Sequence, residues 1–306
     1  MPKDLHELPK LRDSLSYLYI EHANIEQDDQ AIVAIQKDGR IPIPIASMTV
    51  LMLGPGTTLT HAAVKAIANN GCMVIWCGER ASRFYAHGMG ETRNASNLLL
   101  QARLCMDEAL HLEVVRRMYT RRFSDLDCST MTLQQIRGLE GIRVREAYRQ
   151  ASKQYGIKWR GRDYKSTEWD RADEINIALS TANSCLYGLC HAAIVSLGYS
   201  SGLGFVHTGK MLSFVYDIAD IYKAETTIPA AFETVSHSND DLERAVRIAC
   251  RKTFRDRAIL KNIAKDIEWI FQVSNTNDEI NLDSVGDLWD DLLDVVPGGN
   301  NHAEDI

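Results

Sequence analysis

The sequence predicts an α+β protein: a small β-rich N-terminal domain (1–90), a larger all-helical domain (91–275) and an acidic tail (276–306). Three observations predict it. Before residue 90, short apolar runs alternate with Gly, Pro and Asn turns, the mark of strands. After it, apolar residues recur with helical spacing. A length of 306 residues also exceeds the usual size of one core, so two domains are expected.

The elements follow in order. SYLYIEHANIE and AIVAIQ read as strands, and Lys37-Asp38-Gly39-Arg40 turns the chain into IPIPIA. Asp-Gly between apolar runs signals a hairpin, and Pro42 and Pro44 place the returning strand at an edge. TVLML is a strand ended by Gly54-Pro55-Gly56, and Thr60 caps a short helix stopped by Gly71. CMVIWCGE and SRFYAHG complete the β-rich part. SNLLLQARLCMDEALHLEVVRRMYTRRF is predicted as one long helix, with Leu99, Ala102, Met106, Leu110 and Val114 as its buried stripe. Thr132-x-x-Gln135 forms a capping box for the next helix, which Gly156 stops. EINIALSTANSCLYGLCHAAIVSLG is apolar enough to be a core helix. Phe205-Val206-His207 reads as β-like, turning at Thr208-Gly209-Lys210 into the helix that carries Asp217 and Asp220. ERAVRIACRKTFRDRAILKNIAKDIEWIF is helical as well. In the tail, Leu288, Trp289, Leu292, Leu293 and Val295 suit one face of a short helix docking on a partner protein; a disordered acidic tail that repels DNA is the alternative.

Composition narrows the function classes. Hydrophobic and charged contents of 45% and 25% are those of an ordinary globular protein. No apolar run approaches the ~20 residues of a membrane span, and MPKDLHELPKLRDSL is too charged for a signal peptide. Seven cysteines, an odd number without a C-x-x-C, indicate neither a zinc site nor a disulfide framework. A cytoplasmic location without membrane contact is expected. The net charge of −7 is unevenly spread. The tail from Thr276 holds nine acids and no Lys or Arg, leaving 34 basic against 32 acidic residues in the body. Residues 103–165 contain 14 basic and 8 acidic side chains, a stretch suited to polyanions or to a solvated helix surface.

Asp217 and Asp220, three apart, project from one helix face among almost wholly apolar neighbours. A carboxylate pair in such company needs a cation or donors. With His207 ten residues upstream, the pattern fits a His–carboxylate metal site; a solvated acidic face fits the same spacing. Glu140, in RGLEGIR, sits near the expected apolar stripe of its helix between Gly138 and Gly141, which suggests close approach to the backbone. Pairing with Arg137 or Arg143 on the surface is the alternative.

RGLEG around Glu140, GFVHTGK around His207 and SFVYDIADIYK around Asp217 and Asp220 closely resemble the family of the CRISPR-associated integrase, protein one of the adaptation machinery, most like its subtype I-E branch. LGPGTTLTHAAVKAIA, DEALHLEVVRRMY and NSCLYG extend the resemblance over about residues 12–272. It implies a homodimer that joins a dimer of the small CRISPR-associated protein two and takes part in antiviral defense. The activity implied is that of a metal-dependent endonuclease and integrase, which inserts short double-stranded DNA with 3′ ends into CRISPR repeat DNA. The cofactor implied is Mg2+ or Mn2+, held by Glu140, His207 and Asp220, with Asp217 as a second acid. By the same resemblance Arg83, Lys210, Lys223, Arg244 and Arg247 contact DNA, and Tyr164 and Tyr187 lie near the substrate. His22 stands where relatives can carry an aromatic wedge that splits DNA ends. A stand-alone nuclease on branched DNA and a non-catalytic DNA-binding scaffold are the competing readings.

Overall fold

The structure is a computed structural model describing residues 17–28, 31–79, 83–88, 95–123, 125–162, 173–237, 241–272, 288–290 and 294–296. The N-terminal part holds two four-stranded sheets. One has the order β1 (Tyr17–Ile20), β5 (Val50–Leu53), β7 (Met73–Cys77), β8 (Phe84–Gly88), parallel except for β8. The other runs β4 (Gly39–Ile43), β3 (Ala31–Gln36), β2 (Asn24–Asp28), β6 (Thr58–Leu59). β3 and β4 form the expected hairpin around Lys37-Asp38, with Gln36 opposite Gly39, and proline-bearing β4 lies at the edge. SYLYIEHANIE is two strands rather than one. His22, in the left-handed region at φ 53°, breaks it so that β1 and β2 enter different sheets. Ile20, Ile25, Ile32, Ile43, Leu51 and Leu53 from both sheets share one core with Ala63 and Ile67 of α1 (His61–Asn69). The Thr60 hydroxyl accepts from the Ala63 N–H and caps that helix.

Helices follow: α2 (Ser96–Met106), α3 (Glu108–Arg122), α4 (Leu133–Tyr155), α5 (Glu174–Ser196), α6 (Ser213–Tyr222), α7 (Thr227–Ser236), α8 (Leu242–Asp256) and α9 (Ile259–Phe271). The capping box at Thr132 and the left-handed stop at Gly156 form as expected. The single helix expected over 96–123 is two, because the extended Asp107 accepts from the Leu110 N–H and starts α3. Its expected stripe holds at Val114, which is buried, and at Leu110, which packs against the core, and fails at Leu99 and Met106, which are 66% and 82% exposed. The inward position of α2 is instead buried Gln101, whose amide bonds Ser200 and Leu203 carbonyls and the Ser200 N–H. ERAVRI…EWIF likewise splits at Ala258, with φ 49°. In the tail, Leu288–Asp290 and Asp294–Val296 pair as antiparallel strands, not as the expected helix; the remaining tail residues, and Tyr164, lie outside the described residues.

α5 is the central element and packs against α6, α7, α8 and α9. By length and composition it is apolar enough to cross a bilayer, contrary to the sequence reading, yet 72% of its apolar window is buried inside the fold. Ala192 and Val195 extend its contacts to the outer face of the first sheet, and His191 stacks on Phe84 of β8 at 3.6 Å between ring centroids.

Candidate functional site

The helices bring residues far apart in sequence to one cleft, lined by Met118, Tyr119, Arg122, Val206, His207, Asp217, Asp220 and Ile221. α3 supplies Tyr119 and Arg122, three apart and therefore on one face. It is fixed from behind by Arg121, whose Nε lies 2.6 Å from the Asp266 carboxylate of α9, and by Arg117, which donates to the Ile270 carbonyl at 2.5 Å. Tyr222 of α6 donates to the other Asp266 oxygen. These bonds lock α3, α6 and α9 together.

Asp217 does not face solvent. Its carboxylate accepts from the Phe205, Val206 and His207 N–H groups at 2.6, 3.1 and 2.8 Å, and lies 2.7 Å from His207 Nδ1. This explains why Phe205-Val206-His207 is a loop and not the β-like segment expected. Its amides turn inward onto one buried carboxylate instead of along a strand ladder. Gly204 permits the turn, since a Cβ there would lie 2.3 Å from the His207 carbonyl oxygen and 2.7 Å from the Ser213 Cβ. With Nδ1–H donating to Asp217, the His207 lone pair resides on Nε2. The hydrogen bond to Asp217 raises the imidazole pKa above its ordinary value, outweighing burial; the Asp217 and Asp220 charges add to the rise.

Glu140 and Asp220 meet through Arg122. Arg122 Nη1 is 2.5 Å from Glu140 Oε1 and 3.5 Å from Asp220 Oδ2. The other oxygen of each acid is held separately: Tyr119 donates to Glu140 Oε2 at 2.7 Å, and Lys223 Nζ lies 2.6 Å from Asp220 Oδ1. Burial would raise the Asp220 pKa, but Lys223 and Arg122 hold it below the usual carboxylate value. Burial would lower that of Lys223, but Asp220 and Tyr187 hold it up. Burial pushes the Tyr119 hydroxyl up, and its bond to Glu140 adds to this, so it remains a donor. Among the described residues no three His, Cys, Asp or Glu side chains are drawn together as a metal cluster. The donor chemistry nevertheless suits a hard divalent ion, with two carboxylates, an imidazole nitrogen and a cation already drawn between the acids.

The other sequence candidates are distributed around this cleft and away from it. Lys223 also lies 4.8 Å over the Tyr187 ring, and Tyr187 packs edge-on against Tyr216. Lys210 is exposed on the turn before α6, and Arg83 and Arg244 are exposed. Arg247 is half-buried, reaching Glu243 on its own helix and Glu79 beyond β7. His22 lies exposed on the bend between β1 and β2, its N–H bonded to the Pro55 carbonyl. Arg143 pairs with Asp125 rather than Glu140. Among the described residues, leaving aside the helix's own backbone and the chain neighbours, nothing lies within 4 Å of a Cβ built at Gly138 or Gly141, so the close approach expected there is not made by them. Tyr119 and Arg122 are the site residues sequence reasoning missed. Their signal was the i, i+3 pair in MYTRRF, hidden among four arginines of α3.

The family described as CRISPR associated protein Cas1 matches residues 17–127 and 124–265. The CRISPR-associated endonuclease Cas1 2 of Thermus thermophilus is 49% identical over 308 residues, covering 99% of this chain and 94% of its own length. The CRISPR-associated endonuclease Cas1 1 of Rhodospirillum rubrum is 46% identical, with 86% of each chain covered. The crystal structure of the TtCas1–DNA complex superposes with a TM-score of 0.78 at 52% identity, covering 87% of this chain and 99% of that one.

Proposed function

This chain belongs to the CRISPR-associated Cas1 family, and we propose that it is a divalent-metal-dependent DNA endonuclease and integrase of CRISPR adaptation. One observation carries the reading. An acid from α4 and an acid from α6 each turn one oxygen toward the same point, beside an imidazole oriented by a buried aspartate.

In this reading Glu140, Asp220 and His207 would hold Mg2+ or Mn2+, and the imidazole suits Mn2+ well. The bound ion supplies Lewis acidity toward a phosphodiester and lowers the pKa of a coordinated hydroxyl. Tyr119 and Lys223 fix the remaining carboxylate oxygens, so the acids keep their orientation. Asp217 fixes the imidazole tautomer. Lys223 and exposed Lys210 place positive charge where negative charge grows on the phosphoryl oxygens during attack by a DNA 3′-hydroxyl. With water as the nucleophile the same site hydrolyses DNA. Arg83 and Arg244, both exposed, are suited to backbone phosphates. The protein acts as a homodimer with a dimer of the small CRISPR-associated protein two, in the cytoplasm, on double-stranded DNA with 3′ ends and repeat DNA.

The test is transfer of a labelled duplex into a repeat-bearing plasmid, with that partner and Mn2+ present. Glu140→Ala and His207→Ala are each expected to abolish transfer and leave DNA binding within about threefold, since phosphate contacts elsewhere carry affinity. Full transfer by either variant refutes the assignment. Cleavage of branched DNA by the wild type without transfer identifies a stand-alone nuclease, and binding without either reaction a scaffold.

A further inference from the structure

We infer that Arg122 is a built-in counter-ion that competes with the divalent metal for Glu140 and Asp220, and is displaced toward the substrate phosphate when the metal binds. The inference rests on the metal-site reading above. Of the four oxygens on the two acids, Glu140 Oε2 belongs to Tyr119 and Asp220 Oδ1 to Lys223. The two that remain, Glu140 Oε1 and Asp220 Oδ2, are both reached by the single nitrogen Arg122 Nη1. An ion held by Glu140 and Asp220 would draw on the same two oxygens, so it and the guanidinium would compete for them.

The pairing has a purpose before the metal arrives. Two carboxylates turned toward one point repel, and a guanidinium between them removes the cost. Arg122 also has a second support, since its guanidinium carbon lies 5.4 Å from the Phe123 ring centroid. A planar cation with an aromatic platform moves aside without leaving the cleft. Its donors then face the space in which a phosphodiester lies, in the fork geometry that matches phosphate oxygens. Arg122 is thus a positioning residue: it preserves the two ligands and then hands them over.

The experiment is Mn2+ binding to the full chain by calorimetry, with melting in EDTA and in Mn2+ as a second readout. Arg122→Gln is expected to bind Mn2+ about tenfold more tightly than wild type, the effect of removing one competing ion pair. It is also expected to melt below wild type in EDTA and to recover most of the difference in Mn2+. Equal or weaker Mn2+ binding by Arg122→Gln overturns the inference, as does a melting deficit identical in both conditions. Should the glutamine variant not fold, Arg122→Met decides. A methionine keeps an apolar stem of similar length and carries no charge, so tighter Mn2+ binding by it supports the competition and unchanged binding overturns it. Absence of Mn2+ binding by wild type and Arg122→Gln alike refutes the metal-site reading itself, and the competition with it.

Discussion

Replacing Asp217 tests whether one buried carboxylate holds the loop that presents His207. The perturbation is Asp217→Asn, which keeps the shape and removes the charge, beside Asp217→Ala, which removes both. Asp217 accepts from three consecutive backbone N–H groups and binds the His207 ring, and its side chain is wholly buried. A buried donor left without an acceptor costs about 1–3 kcal/mol, and bonds to a charged acceptor are the stronger kind. The Phe205 amide bears that cost in full, while the half-buried Val206 and His207 amides regain water in part. Asp217→Ala is therefore expected to lose about 3–5 kcal/mol, with at least half of that for Asp217→Asn, whose amide nitrogen turns a donor toward donors. That is a large share of the roughly 5–15 kcal/mol typical of a folded domain. Equilibrium urea unfolding measures the loss, and the 15N shifts of the His207 ring report whether the Nδ1–H tautomer survives. A loss below about 1 kcal/mol for Asp217→Ala, an ordinary surface value, with the tautomer unchanged, would refute the reasoning.

Two further predictions concern the same region. The His207 pKa is raised in the folded state, so the stabilisation from its pairing with Asp217 is complete below the unfolded-state value of about 6.5 and fades as pH rises through the folded value. The stability gap between wild type and His207→Gln should shrink from about pH 5 to about pH 9; a gap that widens contradicts the sign. The two helix glycines beside Glu140 and the loop glycine before His207 should respond in opposite directions. Gly204→Ala, meeting backbone at 2.3 Å, is expected to lose about 1–3 kcal/mol as an overpacked site. Gly141→Ala, facing open space inside α4, should gain about 0.5–1 kcal/mol. Thermal melts of both variants check the pair, and a stabilised Gly204→Ala would show that the loop has room to relax.

Legibility of the chain followed the range of the forces involved. Thr132 with Gln135, Thr60 and Gly156 act within a turn of their own position, and the sequence shows them as plainly as the structure does. α5 was legible because it is apolar on nearly every side. Asp107 was not: it carries the signature of a helix start inside a pattern that runs on without interruption, and only its cap bond to Leu110 reveals the break. The exposed Leu99 and buried Gln101 invert the local pattern because a loop 99 residues away supplies the glutamine with partners. Similarly, the letters place Glu140, His207 and Asp220 in three separate segments, while the two side chains that join the acids, Tyr119 and Arg122, lie in a fourth. Spacing within a helix cannot announce a partner on another helix.

The stacking of His191 on Phe84 and the seating of Ala192 and Val195 against the strands bear on how the molecule bends. The rod that meets the sheet with these residues carries Tyr187, the neighbour of Lys223, about one turn earlier. A continuous run of packed side chains thus joins the rim of the first sheet to the ammonium beside Asp220. Cavity-forming substitutions at Phe84 test it: a shift in the Lys223–Asp220 pairing supports a mechanical link, and none refutes it.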